Sequence, residues 1–436
     1  MLQRCCWKEG ANLSLVVSGK IYTSTKIIDG SILIENGKIA RIGKNLEGEE
    51  KLDFRRKGNL ILPGLIDMHV HLRDFKLDYK EDFETGTMAA AMGGFTVVCD
   101  MPNTIPPINK PSVLRKREKI ARKKSFVDYG LYYGVPKKLE HLTEEVVDLA
   151  IGLKIFMHRE FYSQENQELM RKTLDFASRK NMLVVAHAER PEPVRQTEFG
   201  PIRLPEAEAG AIEDITELSS KVGFKLHVTH ISSTRGAEIF SKKKSLLPLT
   251  GDTCPHYLLL TEKDVEKIGK IARVEPSLRS ERDRKFLLEK LQKGVIDCVT
   301  SDHAPHSLEE KLADPPASGF PSLETTVPLL LTMVKKDMLR LEDFVRTCSS
   351  KPARILGLKH LGEIKEGITA NLTVVDLEKE WKIDPSNFIS KAKFSPFAGT
   401  KVIGVPIATL VRGKLVMFER EIVGRRGWGR NVKTFG

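Results

Sequence analysis

Short apolar runs alternate with amphipathic stretches through the middle of the chain. The runs lie at 62–70, 95–101, 127–135, 152–157, 182–188, 225–230, 249–253 and 295–301. Runs this brief suit buried strands better than helices. Helical spacing recurs between most of them, most clearly at 82–92, 205–222 and 280–293. Pro205 suits a first helical turn and Gly223 a C-terminal stop. Strands separated by helices pair in parallel. Eight such units in about 250 residues predict an α/β fold, a (β/α)8 barrel of the TIM type.

The flanks have a different texture. Residues 13–42 form short alternating runs with turn signals at Ser18-Gly19, Asp29-Gly30 and Asn36-Gly37; 372–376 and 409–418 repeat it, with Arg412-Gly413 between strands. Such dipeptides favour tight hairpins. Neither flank can bury a core alone. Both chain ends are therefore expected to pair into one small β-sandwich, 1–60 with 362–436, beside a barrel at 61–361.

Composition narrows the function. A length of 436 residues with 41% apolar and 29% charged positions fits one large and one smaller globular unit. No run approaches the ~20 apolar residues of a membrane span, and the first twenty residues lack a signal-peptide core, so no membrane partner is expected. Six cysteines, at 5, 6, 99, 254, 298 and 348, show no metal-knuckle spacing and suggest a reducing cytoplasm. The net charge of +12 is dispersed over 115–124, 242–244 and 425–433, and the first two runs have no interleaved aromatics. No nucleic-acid partner is expected from it, and 115–124 is taken as a solvated helix face. No role is assigned to the first dozen residues.

The histidines carry the chemistry. Seven of eleven (69, 71, 187, 230, 256, 303 and 306) fall at or just past the end of a predicted strand. In a barrel those ends share one face, where active sites sit. His69 and His71, two apart on a strand, point the same way and can reach one cation; the plain alternative is two hydrogen-bonded histidines. His187 and His230 follow apolar strands and are either ligands or core histidines. His227 lies mid-strand and is structural. Asp302 ends a buried strand, where a carboxylate must be paired or metal-bound; there it can also take up a proton. Lys154 interrupts the apolar run 153–157. Desolvation and nearby cations would favour its neutral amine, which can capture carbon dioxide as a carbamate able to bridge two metals; the alternative is an ion pair at the barrel mouth.

These residues resemble the amidohydrolase superfamily and, within it, the dihydroorotases. The likeness rests on PGLIDMHVHLRD (63–74), YKEDFETGTMAAAMGGFTVVCDMPNT (79–104), GLKIFM (152–157), VAHAE (185–189), HVTHIS (227–232), DHAPH (302–306), GFPSLET (319–325), EGITANLTVVD (366–376) and KFSPFAGT (393–400), in that order along nearly the whole chain. The resemblance implies reversible cyclisation of N-carbamoyl-L-aspartate to dihydroorotate in pyrimidine biosynthesis. It implies two zinc ions: one on His69, His71 and Asp302, the other on His187 and His230, with Lys154, as N6-carboxylysine, bridging both. Asp302 would also move the proton. Arg73 and Asn103 would bind the substrate carboxylate, His306 would be a further contact, and 315–321 would close over the ring. The sequence departs at Phe75-Lys76, where the family often has Pro-Gly, and at Glu275, where it often has an asparagine that touches the ring. An ionised Glu275 cannot donate as asparagine does; Arg273 or Arg279 could compensate. Alternatives are another cyclic amidase (an allantoinase or a dihydropyrimidinase) and a noncatalytic scaffold that has lost ligands. Such relatives are often homodimers; whether this chain dimerises or joins an aspartate transcarbamoylase is left open.

Overall fold

The structure, a computed structural model, describes residues 14–24, 26–163 and 167–435. The first dozen residues, with Cys5 and Cys6, lie outside them. Five strands open the chain: β1 (Leu15–Tyr22), β2 (Ile27–Glu35), β3 (Lys38–Gly43), β4 (Glu50–Asp53) and β5 (Asn59–Pro63). Five barrel strands follow, β6 (Leu65–Val70), β7 (Phe95–Asp100), β8 (Asp128–Gly134), β9 (Gly152–Phe156) and β10 (Leu183–His187). After a small hairpin, β11 (Val194–Arg195) and β12 (Ile202–Arg203), come β13 (Lys225–Val228), β14 (Leu249–Thr253) and β15 (Cys298–Val299). The chain ends with β16 (Leu372–Lys382), β17 (Lys401–Val411), β18 (Lys414–Phe418) and β19 (Glu421–Ile422).

The eight strands from β6 to β15, the hairpin apart, pair in parallel in chain order. The His71 amide donates to the His303 carbonyl at 2.8 Å, and a parallel bridge joins Val70 to His303. These contacts close the sheet into the predicted barrel. The helices behind the strands match their signals. Asp82 caps the helix Phe83–Met92 by accepting from the Thr85 amide, and Ser280 with Asp283 forms a capping box at the head of Glu281–Gln292. The helix Pro205–Val222 stops at Gly223, which adopts φ 82°.

Strands from both chain ends join in one nine-stranded sheet, as the flanking texture required; its long path runs β19-β18-β17-β16-β5-β1-β2-β3, with β4 pairing β1. It has its own apolar core, where Val17, Ile32 and Ile61 meet Val374, Val405 and Leu410. Two expectations fail here. The run 62–70 is two strands, β5 in this sheet and β6 in the barrel, broken at Gly64. A Cβ there would meet Thr96 Oγ1 at 2.4 Å and Asn371 Cβ at 2.8 Å, so the chain can switch sheets only at glycine. Ser18-Gly19 and Asp29-Gly30 are not turns but lie opposite each other within β1 and β2. Gly19 makes room for Ile61 and the Phe54 carbonyl, and Gly30 for the Gly43 carbonyl. Asn36-Gly37 and Arg412-Gly413 are turns, with positive φ at all four residues.

The basic run 115–124 is also corrected. In the helix Pro111–Lys124, Leu114, Arg117 and Ala121 are buried. Arg117 is fully buried, reaching Asp100 Oδ2 through NH2 at 2.6 Å and Nε at 3.0 Å and stacking on the Phe83 ring. An arginine is tolerated inside because an equally buried carboxylate awaits it. Among the described residues, Cys99, Cys254, Cys298 and Cys348 are free buried thiols, and no helix is long and apolar enough to cross a membrane.

Candidate active site

The end of β6 is held by two buried carboxylates. Asp67 Oδ1 accepts the His69 amide at 3.0 Å and Asp100 Oδ1 the Leu72 amide at 2.7 Å. With the closing bond to His303, these contacts bring β6 against the segment after β15. His69 Nε2 and His71 Nε2 consequently lie 3.3 and 3.4 Å from Asp302 Oδ1. The three side chains form a buried group whose ligand atoms all lie within 4.8 Å of one another. Ligands about 2.0–2.1 Å from a tetrahedral zinc are separated by roughly 3.3–3.4 Å, the spacing that both histidines keep from Asp302.

His187 ends β10, and His230 lies two residues past β13. His187 Nδ1 faces His230 Nε2 at 2.9 Å, and the His230 ring lies 5.3 Å from that of His69. His187 donates through Nε2 to Glu189 at 3.0 Å, which leaves Nδ1, facing His230 Nε2, as the unprotonated nitrogen able to bind a cation. Glu189 is itself buried and paired with Arg203 and Arg279. Asp252 Oδ1 accepts the His230 amide at 2.6 Å. Lys154, on β9, is 0% exposed; its Nζ touches Thr229 Oγ1 at 3.2 Å, and it makes no ion pair among the described residues. The ion-pair alternative for this lysine is therefore not realised there. Arg73, His230 and Asp302 all adopt left-handed backbone, with φ of 51°, 42° and 47°. Non-glycine residues pay conformational strain there, a feature that clusters at functional sites.

Burial dominates the electrostatics. It drives His69, His71, His187 and His230 well below the ordinary histidine range. All four are thus held in the neutral form that binds metals. Burial also pushes the Asp302 carboxyl up to about 7, against the pull of Lys154, and the Lys154 amine down to about 8. Four neutral imidazoles, a carboxylate and a desolvated amine suit a divalent, borderline-soft ion.

A cleft of about 260 Å³ opens over this cluster, lined by His69, His71, His187, His230 and Asp302 and also by Arg73, Asn103 and His306. Asn103 Oδ1 accepts from His71 Nδ1 at 2.7 Å, leaving its amide N–H groups for other partners. Arg73 donates from Nε to the Pro305 carbonyl at 3.1 Å and lies 3.3 Å from His306 Nε2 through NH2. Ala317, Ser318 and Gly319, from the segment expected to close over a ring, form part of the wall with Glu275. Lys311 ties that segment down, donating to the carbonyls of Arg273, Ala317 and Gly319 at 2.6, 2.9 and 2.7 Å.

Two of the seven strand-end histidines do not line the cleft. His303 is turned toward Glu81 and accepts from the Ser322 amide. His256 is buried against Tyr257 and Phe320, with Cys254 and Asp302 close by. His227 bonds to Thr250 and Asp252, the structural role expected of it. Sequence reasoning missed Glu189, Asp252 and Thr229, which contact His187, His230 and Lys154, and His158 and Arg159, which line the cleft. Glu189 was within reach, because it follows His187 by two residues beyond the strand.

Residues 60–416 match the amidohydrolase family. A dihydroorotase from Pyrococcus horikoshii is 42% identical over 97% of this chain and 96% of its own length. One from Bacillus cytotoxicus is 35% identical over 89% of this chain and 94% of its own. Among solved structures, an L-hydantoinase (dihydropyrimidinase) from Arthrobacter aurescens superposes with a TM-score of 0.87 at 29% identity, covering 96% of this chain and 99% of that one.

Proposed function

The chain belongs to the amidohydrolase family, and from that premise we propose that it is a dihydroorotase, a hydrolase that opens dihydroorotate to N-carbamoyl-aspartate and closes it again in pyrimidine biosynthesis. Two zinc ions would be held by His69, His71 and Asp302 and by His187 and His230. Lys154, carrying carbon dioxide as a carbamate, would bridge them. The neutral imidazoles, the 3.3 and 3.4 Å spacings and the unpaired desolvated lysine support that set. When bound, the ions supply an acidified water and a polarising charge at the scissile carbonyl.

The remaining steps fall to the chain. Arg73, whose guanidinium suits a carboxylate bidentately, orients the ring with help from Asn103 and His306. Asp302, buried at the floor of the cleft, takes the proton of the attacking water and returns it to the ring nitrogen as the carbon–nitrogen bond breaks. In the closing direction the same carboxyl takes a proton from the ureido nitrogen as water leaves. Closure consumes one proton overall, because two carboxylates become one, so lower pH favours the ring and higher pH the open form. The buried free thiols agree with a cytoplasmic enzyme.

The observation that carries this reading is Arg73 in the wall of the cleft that holds the five cavity-lining ligands. A cyclic amidase acting on neutral rings needs the metals but not this cation. A noncatalytic scaffold would need neither, yet all six ligand positions are filled by ligating residue types. The test is ring opening by the zinc-loaded protein on dihydroorotate and on a neutral hydantoin, repeated with Arg73→Met. The variant should lose about 100-fold on dihydroorotate, the scale of a charge-assisted hydrogen bond or more, and little on the hydantoin. Equal losses, or a wild type that prefers the hydantoin, would refute the reading.

A further inference from the structure

The cleft has two electrostatic poles. At one end Arg73 reaches His306 Nε2 at 3.3 Å, and that nitrogen lies 3.0 Å from the Ser318 carbonyl oxygen. At the other, the Ser318 hydroxyl donates to Glu275 Oε1 at 3.1 Å. Ser318 therefore joins a cationic pole to an anionic one through a single residue of the cleft wall.

Glu275 remains a carboxylate. Burial works against its charge, but the Arg203 guanidinium above all, then that of Arg273, holds its carboxyl well below the usual carboxylate range. Its other polar contacts are long: Arg203 NH1 at 3.3 Å on Oε2 and Arg273 NH2 at 3.4 Å on Oε1. Arg203 is shared with Glu189 at 3.1 Å. A carboxylate offers about four acceptor positions. Three are used here, all beyond the 2.7–2.9 Å of a strong charge-assisted bond. The side chain is still 28% exposed, and the space it faces is the cleft.

We infer that Glu275 is a specificity-determining residue, accepting an N–H of the substrate's ureido unit while Arg73 takes the carboxylate. This rests on the proposed dihydroorotase reading and goes beyond it by assigning the far end of the ring. An ionised carboxylate cannot donate and repels a second carboxylate. The two poles thus admit a ring with an anion at one end and an N–H at the other, and in one orientation. A substrate turned end for end would place its carboxylate against Glu275 and its N–H against Arg73.

The test compares kcat/KM for dihydroorotate with those for its 1-methyl and 3-methyl derivatives, in wild type and in Glu275→Ala. If Glu275 accepts a ring N–H, wild type should disfavour one methylated ring strongly. Glu275→Ala should shrink that preference about 10- to 100-fold, the range for a hydrogen bond to a charged group, by losing mainly the parent substrate. A residue that serves only as counter-ion to Arg203 and Arg273 would, when removed, lower all three rings by one factor; that result overturns the inference. Should Glu275→Ala not fold, as judged by thermal melting and zinc content, Glu275→Leu removes the acceptor with more of the volume kept and should shrink the ratio in the same way. Failure here is separable from failure of the functional reading, since a wild type inactive on dihydroorotate defeats the latter before any variant is made.

Discussion

Replacing Arg117 with methionine isolates a buried ion pair that reaches the metal cluster through the backbone. The guanidinium and the Asp100 carboxylate are both fully buried and joined by two N–H donors to one oxygen, at 2.6 and 3.0 Å. Methionine keeps much of the apolar contact with Phe83, whose ring centroid lies 4.3 Å from the guanidinium carbon. What it removes is the only side-chain cation within ion-pairing distance of Asp100 among the described residues. A buried carboxylate left alone costs about 3–5 kcal/mol. Asp100→Asn on the same background should recover about 2–3 kcal/mol, because the stranded charge is gone while the amide oxygen still accepts from Leu72. Urea unfolding midpoints of wild type, both single variants and the double variant measure that coupling directly. Zinc content after dialysis reads the second consequence, since Asp100 fixes the backbone between His71 and Arg73. A loss below about 1 kcal/mol in Arg117→Met, or single effects that simply add, would show that the pair does not hold β6 in place.

Three further predictions address the cluster and the fold. Asp302→Asn should abolish ring opening, by at least about 100-fold, while calorimetry still detects dihydroorotate binding; near-normal turnover would remove the proton-transfer role. Lys154→Ala should lose bound metal and activity together, with partial recovery in millimolar acetate or propionate; full metal content without any added acid would count against the bridging carbamate. Glu324 is buried beside the Ile389 and Ser390 amides, and burial raises its carboxyl from 4.5 to about 7. The folded state therefore binds that proton more tightly than the unfolded state, and its stabilising effect, present below pH 4.5, is lost as pH rises to about 7. Glu324→Gln should accordingly gain stability relative to wild type between pH 5 and 8, by up to about 3 kcal/mol; an unchanged difference in melting temperature across that window would refute the assignment.

The barrel was legible because two periodicities were. Strand-length apolar runs alternate with helical spacing, and proline, glycine and capping residues mark the helix ends, as at Pro205 and Gly223. The gathering of the candidate site was legible because strand ends converge in such a fold, so residue type and position along a strand suffice to bring His69, His71, His187, His230 and Asp302 to one cleft. Features that depend on what packs alongside were not. Gly19 and Gly30 read as turn residues because nothing in their neighbourhood records the backbone approaching from Phe54 or Gly43. Arg117 read as solvated because charge outweighed its place at helical spacing from Leu114 and Ala121; only Asp100, on another element, makes its burial tolerable. Asp252 and Thr229 stayed invisible as supports for the same reason, since an orienting hydrogen bond leaves no mark on the local pattern.

That division explains why two likenesses of this chain point in slightly different directions. Superposition on a hydantoinase at a TM-score of 0.87 reports the course of the backbone and not the identity of the side chains on it. Any cyclic amidase that uses two metals can share that course, because hydrolysis of the ring amide makes the same demands whatever else the ring bears. The choice of ring is made by a few side chains on the wall of the cleft, where exchanging one residue leaves the backbone almost unmoved. Arg73 contributes nothing to a superposition, yet on the proposed reading its charge in the cleft wall would favour a carboxylated ring over a neutral one. The 42% identity to a dihydroorotase, across 97% of the chain, is the more informative likeness, because it samples those side chains together with the frame that holds them.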